Sequence, residues 1–89
     1  HYNLSLVAEN FYTNKEFDRV KKILQEFKKD DDFYYWFRLK KEAQIISKES
    51  STKDSLKFIK SNFEKIEKPN EKILFDIANF YKIYAYLFF

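Results

Sequence analysis

Along most of the chain, apolar residues return every three or four positions and are interrupted by short polar stretches. This pattern predicts helices and no strand. Val20, Ile23, Leu24 and Phe27 form one such stripe, and Phe58, Ile59, Phe63 and Ile66 form another. The breaks "TNKE" and "SKESST" separate the runs. Ser51 with Asp54 three residues later reads as a capping box, and Asn14, Asp32 and Asn70 stand where N-caps are needed. Five helices follow, over about 2–13, 16–29, 33–48, 53–67 and 71–88.

A longer period lies over the helical one. Ala8, Ala43 and Ala78 are spaced 35 residues apart, and Leu4, Leu39 and Leu74 keep the same step, as do Phe11, Ile46 and Tyr81. In each unit the order is Leu, a small Ala four residues on, then a large apolar residue three further. All three lie on one helical stripe, where the Ala lets a neighbouring helix approach closely.

Composition supports this reading. There is no glycine and one proline, Pro69, so the usual punctuation of hairpins and tight turns is missing. The 89 residues make one small domain with a thin core, and 45% hydrophobic with 35% charged residues excludes a disordered tail. The net charge of +3 is spread along the chain as lysines alternating with glutamates, the pattern of solvated helix faces. With no cysteine there is no disulfide or thiolate metal site, and the compartment is not readable. The chain opens on His1 and has no methionine, so it is expected to be a fragment of a longer protein.

The units resemble the tetratricopeptide repeat, whose pattern runs W-x2-L-G-x2-Y, then A-x3-F, then P. Unit one aligns as Leu4, Val7, Ala8 and Phe11 with Val20 and Leu24. Unit two aligns as Leu39, Glu42, Ala43 and Ile46 with Ser55 and Ile59, its Pro69 two positions late. Unit three supplies only Leu74, Ile77, Ala78 and Tyr81. The stretch "FYYWFRLKKEAQ" is similar to helix openings in bacterial members. The resemblance implies an all-α fold of about two and a half repeats, in which antiparallel helix pairs stack as a right-handed superhelix spanning residues 1–89. It also implies a scaffold that binds a peptide or partner protein in a concave groove.

Carried over position by position, the groove residues are Ser5, Leu6, Glu9 and Tyr12 from unit one. Unit two gives Lys40, Lys41 and Gln44, and unit three gives Lys72, Phe75, Asp76 and Asn79. The chaperone-binding members clamp a terminal carboxylate with lysine, asparagine and arginine. The matching positions here are Ser5, Glu9, Lys41, Lys72 and Asp76, so that role is not carried over.

Catalysis is not expected, because the only histidine sits at a terminus expected to fray and there is neither a cysteine nor a phosphate-binding glycine loop. No cofactor or metal is implied, since "DDD" at 30–32 lacks the glycine and distal glutamate of a calcium loop and reads as an interhelical turn. The "FYYWF" cluster beside Arg38, Lys40 and Lys41 makes single-stranded RNA binding by a pentatricopeptide-like repeat the rival from another class. A purely structural, self-associating bundle is the third.

The tail "IANFYKIYAYLFF" carries a polar stripe of Asp76, Asn79 and Lys82 and is too short and too polar to span a membrane. There the period predicts a turn that the residues do not supply. The fifth helix is therefore expected to run on, leaving Tyr84, Leu87, Phe88 and Phe89 to pair with a second chain as a homodimer.

Overall fold

The computed structural model describes residues 1–30, 32–63 and 71–86, with the backbone alone for 32, 63 and 84–86. Five α-helices occupy them: α1 Tyr2–Thr13, α2 Phe17–Leu24, α3 Asp32–Glu49, α4 Thr52–Phe63 and α5 Glu71–Tyr86. There is no strand among the described residues, in line with the all-helical expectation. No helix among them is long and apolar enough to cross a membrane.

Successive helices pair antiparallel. At the α1–α2 turn the rings of Tyr12 and Phe17 lie 5.7 Å apart, while at the far end His1 packs edge-on against Phe27 and Tyr34 at 5.3 and 5.4 Å. His1 thus packs against two aromatic rings at the start of α1. In the α3–α4 pair the hydroxyls of Ser47 and Thr52 meet beside the turn, and deeper in the pair Ser55 Oγ donates to the Ala43 carbonyl at 2.6 Å.

Helix α3 is shared by two cores. On one side Ala8, Val20, Leu24, Phe27 and Ile45 close together, and on the other Tyr35, Trp36, Leu39, Ala43, Ile59, Ile73, Ile77 and Phe80. Burial at about 1.5–3 kcal/mol per large apolar side chain makes these clusters the main source of stability.

Helix α2 stops at Leu24, short of the expected 29. The backbone tightens there, with Gln25, Glu26 and Phe27 each donating to the carbonyl three residues back. Arg38 of α3 then reaches across, donating Nη1 to the Phe27 carbonyl at 3.0 Å and Nη2 to Gln25 Oε1 at 3.1 Å. An arginine eleven residues further on therefore holds the turn that follows α2, while Phe27 turns inward, fully buried.

The caps differ from expectation in instructive ways. Ser51 Oγ accepts the Asp54 N–H at 3.1 Å as the N-cap of α4, but the Asp54 carboxylate takes its own bond from Ser50. Asn14 is not an N-cap; it closes α1, and α2 is preceded by Glu16 without a side-chain cap. Asp32 falls inside the first turn of α3 and not ahead of it, while Asn70, the expected ends of the fourth and fifth helices and Ile66 lie outside the described residues.

At the end of α1 the chain makes a Schellman turn, with Glu16 N–H bonded to the Phe11 carbonyl and Lys15 N–H to that of Tyr12. Lys15 is held in the left-handed region at φ 61°, a place where glycine costs nothing and a side chain is penalised. Lys15→Gly is expected to raise stability by about 0.5–1 kcal/mol, read as a higher urea midpoint at unchanged slope.

The 35-residue step is visible in burial. Ala8 and Ala43 are fully buried because α2 and α4 cover them, and Leu39 is buried in the same way. In the third unit Ala78 is exposed and Leu74 is 45% exposed. The small residue there does not receive a close neighbour, against the expectation from the first two units, since no second helix lies against that flank of α5 among the described residues.

Candidate functional site

Helices α1, α3 and α5, the first of each unit, share one side of the molecule. The register places Glu9, Gln44 and Asn79 in one row along it, and Leu6, Lys41 and Asp76 in another. A groove of about 380 Å³ runs there, lined by Tyr12, Lys40, Gln44, Ser47, Lys48, Asp76, Asn79, Phe80 and Ile83. An adjoining hollow of about 350 Å³, lined by Phe33, Trp36, Lys40, Lys72, Ile73, Phe75, Asp76 and Asn79, extends it along α3 and α5.

Of the eleven residues expected in the groove, seven line these two spaces: Tyr12, Lys40, Gln44, Lys72, Phe75, Asp76 and Asn79. The other four do not. Ser5 turns its hydroxyl back to the Tyr2 carbonyl at 2.6 Å, and Leu6 is exposed outside the groove. Lys41 is buried, with Nζ 2.8 Å from Glu9 and 4.3 Å from the centre of the Tyr12 ring. A cation enclosed by a carboxylate and an aromatic face is already partnered, so Lys41 ties α3 to α1 through Glu9 and is not free to meet a ligand. Sequence reasoning missed Ser47, Lys48, Phe80 and Ile83, which the same helical stripes would have supplied.

Asp76 ties α5 to α3. Its Oδ2 accepts from Trp36 Nε1 at 2.6 Å and from Lys40 Nζ at 2.9 Å. Burial pushes this carboxyl up, but the bonds from Trp36 and Lys40 outweigh it and hold Asp76 below the usual carboxylate value. Trp36 is itself buried with its edge against Phe80, which takes the indole out of reach of stacking on a base. Tyr12 titrates above its ordinary value because it is partly buried and faces Glu9.

Gln44 presents the one unmatched group here. Its Oε1 is buried and accepts no hydrogen bond among the described residues. No cluster of three metal-binding side chains occurs among them either. Leu87, Phe88 and Phe89, expected to pair with a second chain, lie outside the described residues, and the side chain of Tyr84 is likewise not described.

Fold and groove together define an all-helical protein of paired helices carrying a polar-and-aromatic channel. No protein-family model matches the chain, and no curated protein or solved structure matches it.

Proposed function

We propose that the chain is a protein-interaction scaffold of the tetratricopeptide type, which holds a peptide segment of a partner protein in the groove along α1, α3 and α5 and performs no chemistry of its own. The observation that carries this reading is the groove itself, where apolar Tyr12, Phe80 and Ile83 stand among the polar side chains of Lys48, Gln44 and Asn79. Tyr12, Phe80 and Ile83 supply apolar contact along the channel, while Lys48 offers a cation to an acidic side chain.

Gln44→Leu tests this, because it removes a buried acceptor without a donor and takes a polar residue off the groove wall. The free protein is expected to gain about 1 kcal/mol of stability, and peptides selected by display on the wild type are expected to bind the variant about tenfold more weakly. Selected peptides that bind Gln44→Leu as tightly as the wild type would overturn the groove reading. Tight binding of mixed single-stranded RNA with steep salt dependence would replace it with the nucleic-acid one.

A further inference from the structure

The groove continues beyond α3 and α5. Tyr12 and Lys48 belong also to a hollow of about 470 Å³ that Thr13, Lys15 and Phe17 complete at the α1–α2 turn. Lys40, Asp76 and Asn79 join the groove to the hollow at its other end, where Phe33 and Lys72 stand near the starts of α3 and α5. Three spaces therefore make one channel, and its charges do not balance. Among the described residues that line it, Asp76 is the one carboxylate, and it already accepts from Trp36 and Lys40. The nearby acids are also taken: Glu49 meets Lys21 at 2.7 Å and Glu9 meets Lys41 at 2.8 Å. Lys15 and Lys48 at one end and Lys72 at the other are exposed, with no carboxylate in ion-pair reach among the described residues. Every charge left over in the channel is positive.

We infer, on the strength of the groove reading above, that the peptide held there is acidic, an extended segment with one carboxylate for Lys48 and Lys15, another for Lys72, and apolar side chains between them. Such a segment supplies the charge that the channel lacks. Lys72 Nζ stands over the Phe33 ring, 5.7 Å from its centre, which sets it level with the first turn of α3. Lys48 lies fifteen residues beyond Phe33 on the same helix, about 22 Å at the rise of an α-helix, a span that an extended chain covers in about six or seven residues. Phe80 and Ile83 line the wall between. A strand of RNA brings its phosphates to the same lysines but also needs ring faces to stack on. Here the Tyr12 ring meets Lys41 and Phe17, the Phe33 ring meets Lys72 and Tyr34, and Trp36 is buried. A second copy is no better matched. Its one run of acids, at 30–32, follows Lys28 and Lys29 and leads into α3, whose Tyr35 and Trp36 are buried, and its other carboxylates are scattered among lysines.

The experiment selects binders to the 89-residue chain from a random peptide display library, then maps them by amide shifts on the isotope-labelled chain. Selected peptides are expected to be enriched in Asp and Glu at two places about six or seven residues apart, and to weaken with added salt. Lys48→Glu, at an exposed position, is expected to weaken them about tenfold, and Lys72→Gln to weaken them severalfold. Lys53→Glu, which changes the net charge equally from an exposed position on α4, is expected to leave them unchanged. Peptides that shift Gln44 and Asn79 but carry no excess of acids, or that ignore Lys48→Glu, would overturn the acidic ligand and leave the groove reading standing. Shifts centred away from the channel, or no enriched peptide at all, would overturn both. Mixed single-stranded RNA that displaces the peptides and loses affinity in Lys48→Glu would give the channel to nucleic acid, and a dimer that Lys48→Glu dissociates in sedimentation would give it to a second copy.

Discussion

Replacing Phe27 with alanine is expected to cost about 3–5 kcal/mol, a large share of what holds a domain of this size. The side chain is fully buried, and its ring meets three others: His1 edge-on at 5.3 Å, Tyr34 stacked at 5.6 Å and Phe37 edge-on at 5.5 Å. Those rings come from the start of α1 and from α3, so one deletion opens a cavity where two helix pairs meet. The Phe27 carbonyl is also the acceptor by which Arg38 holds the turn after α2. Loss of the ring therefore loosens that turn along with the packing. A domain of this size is held by roughly 5–10 kcal/mol. Circular dichroism in urea reads the outcome: a much lower midpoint is expected for Phe27→Ala, while Phe27→Leu keeps most of the volume and a midpoint closer to the wild type.

Trp36→Ala is expected to cost a similar amount, about 3–5 kcal/mol, by emptying the second core. Trp36→Phe separates the two parts of that cost. It keeps most of the apolar contact with Phe80 but removes the N–H that meets Asp76, and a loss of about 1–2 kcal/mol is expected from the missing charge-assisted bond. The pH dependence has a definite sign. Asp76 is held below the ordinary carboxylate value in the folded chain, so as pH falls the unfolded chain takes up the proton first. Its contribution is whole above the ordinary aspartate range, near pH 4, and is lost as pH drops through the folded value. Urea midpoints measured through the acid range should therefore fall less steeply in Trp36→Phe than in the wild type, since Asp76 then sits nearer its unfolded value. Equal slopes would show that the indole N–H does not hold the carboxylate.

Local patterns were legible in the sequence, and long-range exchanges were not. The five helices, their stripes and the 35-residue step all follow from spacing, because each depends on residues within a few turns of one another. The end of α2 could not be read, since it depends on Arg38, which reaches back from the next helix. Lys15 gave no signal either: glycine marks a left-handed turn, and this chain closes a Schellman turn with lysine. Within the groove, register alone located Gln44, Asn79 and Asp76. Lys41 was misassigned because a charged residue at a groove position reads as exposed, and only its pairing with Glu9 and Tyr12 makes burial tolerable. Ala78 shows the same limit from the other side, since a small residue marks room for a neighbour without saying that the neighbour is there.

Lys41 and Asp76 occupy the same place in successive units, and each reaches back to the preceding unit, but with opposite charge. Copying unit two into the place of unit three would set a lysine against Lys40; copying unit three into the place of unit two would set an aspartate against Glu9. The two joints are therefore not interchangeable: each is matched in charge to the helix that follows it, and a swap would replace an attraction with a repulsion.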